Sequence, residues 1–220
     1  MSRDSKKSEV FVHSHQFESP LQQYQASTLG MWLFLVTEIM FFGGLFLAYS
    51  IYRGMYPDAF AHASHHLNIE LGVFNTVMLI SSSLTMALAV RSGEMGSKKG
   101  QIWFLLLTVF FGLIFLGVKG IEYSHKFHEH LVPGPHFQTE GEVKGTQLFF
   151  SLYFAMTGMH AVHMIIGIAM LLTLTVQAAQ GKFTKAYHTP VEMIGLYWHF
   201  VDIVWIFLFP LLYLIGRHVS

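Results

Sequence analysis

Apolar residues run in blocks too long for the alternating faces of a soluble helix, and polar, turn-forming stretches break the blocks apart. Crossing roughly 30 Å of hydrocarbon takes about 20 mainly apolar helical residues. Five segments meet that length, at about 29–52, 68–90, 101–123, 145–177 and 191–215. The fourth exceeds the need and is expected to tilt or to project from the membrane. Gly54 and Pro57, then Gly93, Gly96 and Gly100, then Pro133-Gly134-Pro135, and finally Gly181 to Pro190 punctuate the connections, where a helix does not readily continue. Residues 1–28 are polar and lack the apolar core and cleavage site of a secretory signal. They read as an N-terminal arm on a five-helix membrane domain spanning 29–220. The fold class is therefore all-α, a polytopic helical bundle, because lipid leaves no other way to satisfy the backbone of single spans.

Lysine and arginine set the expected orientation. Arg3, Lys6, Lys7, Arg91, Lys98, Lys99, Lys182 and Lys185 fall on one side, against Arg53, Lys126, Lys144 and Arg217 on the other. The bias places the N-terminus inside and the C-terminus outside. Composition agrees with a lipid solvent: 53% hydrophobic, 12% charged and a mean hydropathy of +0.46. A formal net charge of zero gives no reason to expect a nucleic-acid partner. The absence of cysteine excludes disulfides, iron–sulfur clusters, covalent c-type haem and thiolate-bound copper in this chain.

Ionisable residues at membrane depth each cost about 2.5–3.5 kcal/mol at a helix centre, so they mark where function would lie. Glu38 falls roughly 14 Å into the first span, at 1.5 Å per residue. It reads equally as a proton-relay or lipid-pocket carboxyl and as a protonated acid bonding a neighbouring helix, with no cation evident beside it. His160 and His163 stand three apart on one helix face. Hydrogen bonding across the bundle is favoured for them over metal chelation. His199 and Asp202 have the same spacing, which allows a contact within the helix. Trp198, Asp202 and Trp205 form an i, i+4, i+7 stripe, read as a structural clamp on a neighbouring helix rather than a proton-transfer dyad. Lys119 and Glu122, an i, i+3 pair near the end of the third span, fit either a buried ion pair or a headgroup anchor. Gly43, Gly44, Gly112, Gly117, Gly158 and Gly167, with Ser81 to Ser83, offer small surfaces for close helix approach.

Several of these stretches together resemble one family. Leu29 to Gly44, with Trp32, Glu38 and Gly43-Gly44, resembles the carboxyl-bearing helix of the cytochrome c oxidase subunit III family. Asn75-Thr76 with Ser81-Ser82-Ser83, Gly120-Ile121-Glu122-Tyr123, the run Thr157 to Gly167 and the run Tyr197 to Phe207 resemble its later helices, in order over about residues 29–215. The resemblance is to the short, five-helix bacterial form, without the first two helices of the longest members. It implies a non-catalytic respiratory subunit with no haem, copper or other metal of its own, packed on the catalytic haem–copper subunit I, with copper-bearing subunit II and other respiratory complexes as further partners. It implies a place in the bacterial inner membrane, bound phospholipid, and support of sustained turnover and proton uptake in aerobic electron transport. Glu38 matches the family's buried carboxyl, and His160, His163, Trp198, His199 and Asp202 match polar packing or lipid-cleft positions. A third subunit of a quinol oxidase or a homologue associated with nitric oxide reductase is the alternative. A free-standing membrane cytochrome b or proton channel fits less well, since no facing pair of axial histidines and no paired repeat is present.

Overall fold

The computed structural model describes residues 17–134, 137, 145–183 and 187–215. The described residues form six helices: α1 (Pro20–Met55), α2 (Pro57–Ser64), α3 (Ile69–Glu94), α4 (Lys98–His128), α5 (Thr146–Ala179) and α6 (Thr189–Tyr213). All but α2 are long and apolar enough to cross a membrane, and the described residues contain no β-sheet. Residues 1–16 of the polar arm and the basic positions Arg3, Lys6, Lys7, Lys144, Lys185 and Arg217 lie outside the described residues.

The elements start where local chemistry permits. Ser19 caps α1 by accepting from the Gln22 amide at 3.2 Å, and Pro20 occupies the first turn, where its missing N–H costs nothing. The first helix thus begins well before Leu29 and takes in part of the arm. Asn68 caps α3, accepting from the amides of Glu70 and Leu71. Pro57 ends α1 but opens α2, so the segment between the first two spans, expected as a plain connection, holds a short helix. At 36, 31 and 34 residues, α1, α4 and α5 all exceed the roughly 20 needed for a span. The last turn of α4 carries His125, Lys126 and His128, a basic end that suits the helix dipole.

Four helices, α3, α4, α5 and α6, surround a common centre, with α3 and α4 the most extensively paired. Helix α1 lies outside them along α6 and α5, and α2 rests on α5. Large aliphatic and aromatic side chains such as Leu33, Met40, Trp103, Phe110 and Ile165 point outward. Polar ones, including Asn75, Thr108, Lys119, Glu122, His160 and Asp202, are buried. Lipid as solvent accounts for this polarity, because it gives the outer face nothing polar to bond.

Trp198 is the keystone of the centre. A Cβ built on Gly112 of α4 would lie 2.9 Å from its ring, and one on Gly167 of α5 would lie 2.8 Å away. The two glycines form the slot, and the indole donates to Ser82 Oγ of α3 at 3.0 Å. Ser82 and Thr85 in turn meet Thr108 of α4, with 2.9 Å between the two threonine hydroxyls. The other glycines differ. Gly43, Gly44 and Gly117 meet nothing within 4 Å, and Gly158 meets only the Tyr123 hydroxyl, so of the six glycines singled out in the sequence Gly112 and Gly167 serve close approach, as does Gly72, where a Cβ would lie 2.6 Å from the Phe209 ring.

Candidate functional site

Two acid–base centres stand at membrane depth. The first is closed. Lys119 and Glu122 on α4 pair at 2.9 Å with both side chains almost fully buried. The ammonium also donates to the hydroxyls of Tyr153 on α5, at 3.1 Å, and Tyr213 on α6, at 2.9 Å. Those hydroxyls donate onward to Glu122 Oε1 at 2.9 and 2.6 Å. The Trp205 ring lies 5.1 Å from Lys119 Nζ, in cation–π range. Each charge is therefore both paired and hydrogen-bonded, the condition for keeping an ion pair out of water. Of the two readings the sequence allowed, the geometry gives the buried pair, not a headgroup anchor. Tyr123 beside it bonds Thr157 of α5 at 2.5 Å.

The second centre lies at the seam of α1 and α5. Glu38 Oε2 stands 3.0 Å from His163 Nε2, and the other ring nitrogen of His163 meets the Met159 carbonyl at 2.9 Å. The side chains are 18% and 12% exposed, so this centre borders the lipid face rather than the bundle interior. Glu38, which lacked an evident partner in the sequence, has an imidazole from 125 positions further along the chain. Phe42 packs on the His163 ring with centroids 5.2 Å apart, and Tyr197 of α6 donates to the His163 carbonyl.

His160 turns the other way. Its ring lies between Phe115 and Trp205, at centroid distances of 5.4 and 5.5 Å, and neither ring nitrogen has a hydrogen-bond partner. The expected bonding across the bundle is thus made by His163 and not by His160. His199 reaches Ser83 of α3 at 2.7 Å instead of bonding Asp202. The buried Asp202 makes no hydrogen bond of ordinary geometry, and Ser83 is the side chain placed to donate to it. Trp205 donates to Thr76 of α3 at 3.1 Å, so the indole stripe clamps α6 onto α3 as expected, through Thr76 and Ser82 rather than through Asp202.

Two cavities border these centres. An almost wholly apolar groove of about 530 Å³ runs between α1 and α6, lined by Trp32, Leu35, Phe42, Phe46, His199 and Phe207 among others. At the opposite end from the N-terminus, a polar pocket of about 540 Å³ carries His65, His66, Glu70, His125 and Glu129, and Glu122 reaches its wall. Lys126 there donates to the His66 carbonyl at 2.6 Å and to Glu129 at 2.7 Å. Burial first, then the Lys126 charge, holds the His66 imidazole below its ordinary value. Nothing in the spacing of these loop residues announced the pocket, since α2 and the end of α4 bring them together.

Comparison with known proteins agrees with this arrangement. The family model for cytochrome c oxidase subunit III matches residues 8–217. Cytochrome c oxidase subunit 3 of Corynebacterium diphtheriae is 35% identical over 190 residues, covering 86% of this chain and 87% of the relative. The Synechocystis protein of the same name is 35% identical over 208 residues, covering 93% and 80%. Quinol oxidase subunit 3 of Bacillus subtilis is 31% identical over 204 residues, covering 88% and 92%. With five helices fit to span a membrane and a match over nearly the whole length, the chain belongs to the cytochrome c oxidase subunit III family.

Proposed function

We propose that the chain is the non-catalytic third subunit of a proton-pumping respiratory cytochrome c oxidase in a bacterial inner membrane, oriented with its N-terminus inside. It packs against the catalytic subunit I, in a complex with the copper-bearing subunit II, binds phospholipid and sustains turnover and proton uptake by its neighbour. Redox chemistry, with its haem and copper, belongs to those partners.

The observation that carries this reading is how the imidazoles of the spans are used. Both ring nitrogens of His163 are engaged by Glu38 and a backbone carbonyl, and His199 bonds Ser83. Phe115 and Trp205 pack on the His160 ring. A bis-histidine haem needs free ring nitrogens facing one another across an open slot, whereas His163 and His199 spend theirs on neighbouring groups and the unbonded ring of His160 is packed between Phe115 and Trp205. The groove between α1 and α6, about 530 Å³ in volume, has the apolar lining to take a lipid acyl chain, with His199 on its wall. The lipid-facing glycines Gly43, Gly44 and Gly117 suit close contact with another chain's helices. Relatives named for both cytochrome c and quinol oxidases match similarly well, so a quinol oxidase subunit is the second reading.

Purifying the oxidase with and without this chain tests the proposal. Initial electron-transfer rates should be nearly equal, and the depleted enzyme should inactivate after fewer turnovers. Immediate abolition of electron transfer on depletion would overturn the supporting role. The reduced donor that drives the intact complex, cytochrome c or quinol, decides between the two readings.

A further inference from the structure

Away from the membrane-depth centres, three potential ligands converge on the side of the bundle that carries the start of α1. Glu94 is the last residue of α3, His188 directly precedes α6, and Glu192 lies in the first turn of α6. One ligand atom from each falls within 4.8 Å of the other two.

Glu192, in the first turn of α6 and bonded to His188, has an ordinary structural place, but Glu94 does not. A carboxylate at the C-terminal end of a helix faces the negative pole of the dipole, so Glu94 gains nothing from its place on α3. Among the described residues, no lysine or arginine pairs with Glu94 or Glu192. His188 Nε2 lies 2.8 Å from Glu192 Oε1, while Nδ1 is sealed from solvent without a hydrogen-bond partner. A buried polar atom left unmatched calls for a missing partner. The group is also reachable from water, because His188 and Glu192 line a partly polar cavity of about 630 Å³ against the start of α1.

We propose that Glu94, His188 and Glu192 bind a divalent first-row transition metal ion. One imidazole with two carboxylates is a borderline-to-hard donor set, suited to zinc or manganese and not to the soft ions that prefer thiolates. Three protein ligands leave at least one position for water. The ion neutralises two carboxylates that lack a lysine or arginine partner among the described residues, and fastens the end of α3 to the start of α6, two helices already clamped at depth by Trp198 and Trp205. This role is structural and separate from electron transfer.

Zinc binding to the full-length chain in detergent, measured by competition with a chromophoric chelator, tests the site. Because the chain holds 14 histidines, the series includes a control at the polar pocket on the other side of the membrane, His65→Asn with His66→Asn. The wild-type protein should bind one zinc per chain. Glu94→Gln, His188→Ala and Glu192→Gln should each weaken binding by about tenfold or more, a typical cost even for a ligand's supporting partner, while the control retains it. Zinc should also raise the thermal unfolding midpoint of the wild type but not of Glu94→Gln. Circular dichroism checks the helix content, and the isosteric Glu→Gln changes carry the test if His188→Ala does not fold. Absence of a one-to-one site, or equal affinity in wild type and all three variants, would overturn the proposal, as would loss of binding in the control alone.

Discussion

The two acid–base centres in the spans solve the same problem in opposite ways. Lys119 and Glu122 are sealed between α4, α5 and α6, and two tyrosines bridge the charges so that no polar atom of the pair lacks a partner. Glu38 and His163 share a single contact at the seam of α1 and α5, and both are in part open to the surroundings. Burial makes the first centre costly to disturb and chemically quiet. Exposure makes the second inexpensive to change and available to whatever lies against α1, whether lipid or a partner subunit. The closed centre ties α4, α5 and α6 together, whereas the open one is a single contact between α1 and α5 at the outer face of the bundle.

Breaking the closed centre should have the largest effect. Glu122→Gln leaves the Lys119 ammonium buried without its counter-charge, a change that costs about 3–5 kcal/mol. Denaturant unfolding of the purified chain measures it. The combined change Lys119→Met, Glu122→Leu, Tyr153→Phe and Tyr213→Phe, which strands no hydroxyl of the centre, should recover most of that loss, since replacing all partners of a buried polar group by apolar ones is often near neutral. Failure to recover would mean that the pair itself, not the avoidance of a lone charge, stabilises the bundle. Next comes Tyr213→Phe, which removes one donor to Glu122 and one acceptor for Lys119, at about 1.5–3 kcal/mol for hydrogen bonds to charged groups.

The open centre should be more forgiving. Glu38→Gln keeps a hydrogen-bonding side chain opposite His163 and should cost under about 1 kcal/mol in the same assay. It should also leave the haem spectrum of the assembled oxidase unchanged, and loss of haem absorbance in this variant would count against a supporting role. The smallest effect concerns His66, outside the spans. Its imidazole is held below the ordinary value in the folded protein, so the unfolded chain takes up a proton first as pH falls. Stability should therefore be undiminished above the unfolded histidine value of about 6.5 and decline as pH drops below it. His66→Asn should reduce that decline, as read by unfolding midpoints across the range.

Much of the architecture was legible in the chain itself, for physical reasons. Lipid demands long apolar helices, and the five blocks could be read by length alone. Pairs at i, i+3 on one helix, such as Lys119 with Glu122, were visible because helix geometry fixes their distance. Partners brought by the fold were not. Glu38 has its imidazole 125 positions away, and the tyrosines that close the inner centre come from α5 and α6. Spacing also misled once, since His199 and Asp202 could touch within α6 but Ser83 draws the imidazole toward α3. Pro57 was read only as a break, although proline in a first turn equally begins a helix. Gly167 and Gly112 looked no different from Gly43, and only the position of Trp198 separates them.

The claim on which the rest depends is that the histidines and acids within the spans hold helices together and carry no redox group. The visible absorption spectrum of this chain, purified free of the catalytic subunit, tests it most directly. The expected result is no haem band in stoichiometric amount. A stoichiometric Soret band that disappears on substitution of His160, His163 or His199 would contradict it.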